Sequence, residues 1–219
     1  MTLEQITHPD KVFWPDEGYT KLDLARFYAA VFPRIEPYVA DRLLTMERCP
    51  DGMSGQCFYQ KEAPKGLPAG TPTKSIRHQN RIVHYVVGGL LETELALVNL
   101  GCIPVHVWGS CANHPHQPDW VVFDIDPGSG EFADAARAGK DALEASGLVS
   151  FPKTSGSRGL HVFLPIELGP DFDEVRSFVE EFGTRLAAAH PDTLTVEQRL
   201  EDREGRDQSQ GTGCVRTHR

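Results

Sequence analysis

The chain has 219 residues with 22 Lys+Arg and 31 Asp+Glu, a formal net charge of −9; 40% of it is hydrophobic and 24% charged. That is ordinary globular composition, long enough for one large domain or two small lobes. No apolar run approaches the roughly 20 residues of a membrane span, and the start (MTLEQITHPDKVFWP) lacks a signal-peptide pattern, so the expectation is a cytoplasmic protein without a membrane partner. Five cysteines, Cys49, Cys57, Cys102, Cys111 and Cys214, are odd in number and widely spaced. In that compartment they are expected to be reduced thiols.

In chain order, Thr20 opens the first predicted helix with a capping-box spacing to Asp23, and Leu24, Phe27, Tyr28 and Val31 follow at helical intervals. Pro33 and Pro37 are expected to limit its end. Strands are predicted at Arg42–Glu47, Gln56–Lys61, Ile82–Val87, Ile103–Trp108, Trp120–Asp126 and Leu160–Ile166, each short, apolar-rich and bounded by Gly or Pro turns. The segment Glu62–Thr73 (EAPKGLPAGTPT) reads as an exposed loop. A second helix is predicted from about Glu131 to Ser146, closed by Gly147. A third starts near Asp171–Asp173 with Val175, Phe178, Val179, Phe182 and Leu186 along one stripe. Mixed strands followed by strand–helix–strand–helix point to an α+β fold with sheets backed by helices. The weakest join is the turn-rich stretch 109–118, where two lobes would meet.

Charge is unevenly distributed. Between Arg48 and Leu90 stand Arg48, Lys61, Lys65, Lys74, Arg77 and Arg81 against only Asp51 and Glu62, whereas the chain from Asp119 onward is acid-rich. A patchy solvated surface explains this without function. A basic half for phosphates and a carboxylate-rich half for metals would also suit a polymerase-like enzyme.

Trp120-Val-Val-Phe-Asp-Ile-Asp-Pro-Gly is the most informative stretch. On a strand, Asp124 and Asp126 share a face, and two such carboxylates repel unless a cation lies between them or one is protonated. Hard oxygen ligands favour Mg²⁺ or Mn²⁺. A helix-capping Asp126 and an ion-paired Asp124 form the structural alternative. Lys153-Thr-Ser-Gly-Ser-Arg-Gly-Leu-His is the second stretch, an anion-holding turn or a plain hairpin, and not a Walker A loop. Cys111, His114, His116 and the nearby His106 fit no standard zinc spacing and read as a surface loop.

Together these pieces resemble the primase-like polymerase domain attached to bacterial DNA ligase D, which works in non-homologous end joining and belongs to the archaeo-eukaryotic primase superfamily. KVFWP (11–15), GYTK (18–21), CPDG (49–52), CFYQK (57–61), LVNLGCIPVHVW (97–108), PDWVVFDIDPG (118–128) and KTSGSRGLHVFLPI (153–166) occur in the family's order. The resemblance covers about Ile6 to Arg206, so a domain over 1–206 is expected. It implies a primase-like polymerase fold with an RRM-like catalytic core. It implies an enzyme that adds NTPs, ribonucleotides preferred over dNTPs, to a primer 3′ end at DNA breaks. Asp124 and Asp126 match the catalytic, metal-binding carboxylates for Mn²⁺ or Mg²⁺. His106, Ser155, Arg158 (commonly Lys in the family) and His161 match nucleotide-phosphate contacts. Lys11 and Lys21 match lysines that hold the downstream 5′-phosphate, and Phe58 and Tyr59 match a base-stacking aromatic pair. Structural readings of the same residues are a core position for Phe58 and a solvated face for the lysines. Implied partners are DNA ends, Ku and a separate DNA ligase, with the nucleoid as place of work.

The departure lies at the C-terminus. The family's third metal carboxylate falls on Gln210, and 207–219 reads as a divergent or truncated tail. An end-binding module without turnover is therefore the second expectation.

Overall fold

Thr20 performs the role its spacing predicts. Its Oγ1 accepts from the Asp23 amide at 3.3 Å, while its own amide donates to Asp23 Oδ2 at 2.9 Å, closing the capping box at the start of α1 (Lys21–Val39). Pro33 and Pro37 do not end this helix but lie inside it. Both prolines are exposed and four residues apart, so the carbonyls left without amide partners are on the wet side of the helix. Phe32 and Val39 meanwhile stay buried, which rewards continuing the helix past the prolines.

The computed structural model describes residues 1–125, 132–154, 160–189 and 191. Among them the chain forms two compact units, one comprising Met1–Asn113 and the other within His114–His218. The architecture is α+β, with mixed helices and antiparallel sheets.

In the first unit, β1 (Val12–Trp14) and β2 (Tyr19–Thr20) form a two-stranded ribbon. A five-stranded sheet is built around β3 (Arg42–Arg48), which pairs antiparallel with β4 (Phe58–Gln60), β6 (Ile82–Val87) and β7 (Cys102–Cys111); β5 (Thr73–Arg77) pairs with β6. Between this sheet and α1 runs α2 (Leu91–Asn99), an element the sequence pattern does not reveal. The reason is that Thr93 through Val98 are all buried. Leu95 and Val98 pack with Leu24, Ala25 and Tyr28 of α1, while Leu97 packs with Leu44, Met46 and Val86 of the sheet. A helix covered on two sides shows no single apolar stripe.

In the second unit, β8 (Trp120–Ile125), β10 (Leu160–Pro165) and β9 (Phe151–Thr154) form an antiparallel sheet in the order β8-β10-β9. One face packs on α3 (Phe132–Ala145) and α4 (Phe172–Ala189) through Val121, Phe123, Leu143, Val162, Leu164, Val175 and Val179. The α4 stripe is as predicted, except that Phe178 stays 39% exposed and leans on Phe182.

The cysteine expectation is corrected. Cys49 and Cys57 form a disulfide that closes the loop between β3 and β4. Sequence separation alone did not distinguish them from the other cysteines; the antiparallel pairing of β3 with β4 brings their ends together. Cys102 is a buried thiol. Among the described residues no helix is long and apolar enough to cross a membrane.

Candidate active site and nucleic-acid interface

Strand alternation places Val121 and Phe123 in the core of the second unit, so Asp124 projects from the opposite face. In the β8–β10 register Asp124 stands opposite His161, and in the β10–β9 register His161 stands opposite Lys153. These three side chains therefore form one row across the face opposite the helices. His161 Nε2 lies 3.5 Å from Asp124 Oδ1, and both side chains are 28% exposed. Asp126, Ser155 and Arg158 lie outside the described residues, as does Gln210.

The first unit assembles a second group. His106 on β7 faces Thr45 in register, and Tyr59 on β4 faces Glu47. The result is a cluster in which the Tyr59 and His106 rings are 5.4 Å apart and His106 Nε2 is 3.5 Å from Glu47 Oε2. Thr45 is buried beside them, its hydroxyl without a hydrogen-bond partner among the described residues. Phe58 is 44% and Tyr59 60% exposed, so neither is a core residue. Arg48 lies over the Phe58 ring at 5.5 Å while its guanidinium donates to the Leu100 carbonyl and to Gln60 Oε1. Arg48 thus supports the aromatic platform from its own strand. Near the platform, burial and the Arg81 charge lower the Lys61 pKa, and burial with Lys61 and Arg81 lowers that of His78. Lys61, His78 and Arg81 therefore lie close enough to influence one another, with Glu62 beside Arg81 and His84 as a local counter-charge.

Lys11 and Lys21 have different surroundings. Lys11 Nζ donates to Asp51 Oδ1 at 2.9 Å and its side chain is 38% exposed. Lys21 is buried, so the solvated-face reading does not hold for it. Its Nζ donates to the carbonyls of Thr7 and Asn99 at 2.9 and 3.0 Å, leaving one donor for an anion. Burial first, and the Lys11 charge second, lower its pKa. The backbone amide of Lys21 donates to the Lys11 carbonyl at 2.8 Å, so the two lysines are fixed to each other through the main chain.

Asp51 and Glu47 were missed as site residues. Asp51 lies within the CPDG motif, but nothing in that motif says which cation its carboxylate meets. Glu47 becomes a neighbour of His106 only through β3–β7 pairing. Among the described residues no group of three or more His, Cys, Asp or Glu is placed to hold a metal.

The sequence profile of the LigD primase-polymerase domain matches residues 20–207. The chain belongs to this family. It is 30% identical over 97% of its length to the multifunctional non-homologous end joining DNA repair protein LigD of Mycobacterium tuberculosis. It is 29% identical over 88% of its length to the LigD of Pseudomonas aeruginosa, and 27% identical over 91% to the bifunctional LigD of Bacillus subtilis. It spans only 30%, 23% and 33% of those relatives, about a third of their length or less. The fold matches the polymerase domain from Mycobacterium tuberculosis ligase D, solved in complex with DNA, with a TM-score of 0.86 at 28% identity over 96% of this chain and 78% of that one.

Proposed function

We propose that the chain is a polymerase-type nucleotidyltransferase that adds NTPs, with ribonucleotides preferred, to a primer 3′ end at DNA breaks during end joining. The observation that carries this reading is the row Asp124–His161–Lys153 on the sheet face opposite the helices in a LigD-family fold. Asp124, with Asp126 two positions on, supplies hard oxygen donors suited to Mn²⁺ or Mg²⁺. A divalent ion held there would activate the primer hydroxyl and neutralise the triphosphate during in-line attack on the α-phosphate. His161 and Lys153 offer positive or hydrogen-bonding groups beside that carboxylate, Ser155 and Arg158 would hold further phosphate oxygens, and His106 is a nucleotide-phosphate contact that the family resemblance suggests. The related structure is a complex with DNA, which supports DNA binding by this chain; Lys11 and Lys21 would then contact a 5′-phosphate, and Phe58 with Tyr59 would form a stacking platform for end bases.

A DNA ligase activity would seal the extended end, Ku is the end-binding partner the family suggests, and the bacterial nucleoid is where such work would take place. Gln210 at the third-carboxylate position favours the second reading, an end-binding module without turnover. Primer extension compared in Mn²⁺ and Mg²⁺ separates the two. Mg²⁺ demands near-ideal octahedral geometry, so a site short of one carboxylate should give slow extension in Mn²⁺ and weak extension in Mg²⁺. No extension in either ion, with DNA binding intact, would leave the end-binding reading.

A further inference from the structure

The loop between β3 and β4 is restrained from several sides. The Cys49–Cys57 disulfide closes it, the Cys49 amide donates to the Gly101 carbonyl at 2.7 Å, and the Met53 amide donates to the Phe13 carbonyl at 2.8 Å. Gly52, at φ +80°, lies so close to β1 that a Cβ would meet the Phe13 Cα and carbonyl oxygen at 3.0 Å. Phe13 is two residues from Lys11. The loop is therefore docked on the very segment that carries Lys11, and it presents Asp51 to that ammonium at 2.9 Å.

We propose that Asp51 is a resident counter-ion of the 5′-phosphate site: its carboxylate occupies Lys11 when no DNA end is bound and sets the affinity for the terminal phosphate by competition. This rests on the reading of Lys11 as a phosphate contact. Carboxylate and phosphate oxygens seek the same ammonium donors, and the carboxylate adds a like charge next to any phosphate that arrives. Because the loop backbone is already fixed, little ordering accompanies formation of the pair, and Asp51 acts at high effective concentration. The Asp51 side chain is 81% exposed, so water stabilises it when displaced and the effect is modest. Asp51 belongs to no catalytic step; it makes an end carrying phosphate displace an existing partner, whereas an end carrying a hydroxyl has nothing to displace.

The test is fluorescence anisotropy on gapped DNA with a downstream 5′-phosphate or 5′-hydroxyl, using the full chain. Asp51→Asn should tighten binding of the phosphorylated DNA about two- to five-fold and leave the hydroxyl DNA unchanged. Asp51→Glu should keep wild-type affinity, and Glu36→Gln on α1 should reproduce none of the effect. Lys11→Gln should erase the preference for phosphate. Tightening of both DNAs alike, or an equal effect of Glu36→Gln, would show a general charge effect and overturn the proposal. Weaker binding of phosphorylated DNA by Asp51→Asn would make Asp51 a positioning residue for Lys11 and also overturn it. If Lys11→Gln kept the phosphate preference, the reading of Lys11 itself would fall, and the counter-ion role with it. A null result at Asp51 beside a clear loss at Lys11 would sink only the present inference.

Discussion

His161 stands directly opposite Asp124 across the β8–β10 ladder, with Nε2 3.5 Å from Oδ1. The pair joins the two most informative stretches of the sequence, DxD and the KTSGSRGLH segment, through one sheet register. A slip of one residue would turn either side chain into the helix-backed core. The register is held by Phe123, Val162 and Leu164 on the buried face, so the same alternation that builds the core also sets the row.

If the imidazole beside the Asp124 carboxylate contacts substrate phosphate as proposed, His161→Ala should lower nucleotide addition at least ten-fold, raising KM for NTP more than it lowers kcat. Steady-state primer extension at varied NTP checks this. A fall in kcat at constant KM would instead assign His161 a role confined to the transition state.

Lys21 and Lys11 should separate by stability. Lys21→Ala leaves the carbonyls of Thr7 and Asn99 without their ammonium donor and is expected to cost about 1–3 kcal/mol. Lys11→Ala removes one exposed pair and is expected to cost well under about 1 kcal/mol. Urea unfolding of both variants measures the difference. Equal stability would mean that Lys21 does not tie the segment at Thr7, α1 and α2 together.

Phe58→Ala with Tyr59→Ala should weaken binding to DNA with a single-stranded 3′ overhang by at least about 1 kcal/mol while leaving blunt duplex binding nearly unchanged. Both rings are substantially exposed, so the thermal midpoint should move little. A large loss of stability with no change in overhang binding would return both residues to a packing role.

Glu94 gives a pH prediction. It is 1% exposed, its Oε1 has no hydrogen-bond partner among the described residues, and burial pushes its pKa up to about 7. The folded state thus holds this proton more tightly than the unfolded chain. The favourable effect is complete below the unfolded carboxyl pKa and is lost as pH rises through about 7. Glu94→Gln should therefore stabilise the protein by about 2–3 kcal/mol at pH 8 and hardly at all at pH 4. Denaturation at the two pH values reads this out; an equal effect at both would show that the carboxyl is not titrating in the core.

Legibility followed pattern strength. The capping box at Thr20, strand β6 and the α4 stripe could be read directly, from a fixed residue spacing, a compact β-branched apolar run and a helical period respectively. Helix α2 could not, because it is covered by α1 and by the sheet at once. Strands β5 and β9 could not either: at Thr73–Arg77 only Ile76 is buried, and Phe151–Thr154 is exposed throughout. At the site, Asp124 and His161 were visible as motif members. Glu47 near His106, the Cys49–Cys57 bridge and the Asp51–Lys11 pair depend on which strand ends meet, and local sequence does not encode that.

The most direct test is single-nucleotide extension of a primer on gapped, 5′-phosphorylated DNA in Mn²⁺, comparing the chain with Asp124→Ala and Asp126→Ala while DNA binding is followed in parallel. The account predicts addition by the unaltered chain, none detectable by either variant, and DNA affinity that is unchanged or slightly higher, since each variant removes negative charge near phosphate. Extension by Asp124→Ala at the unaltered rate would contradict it.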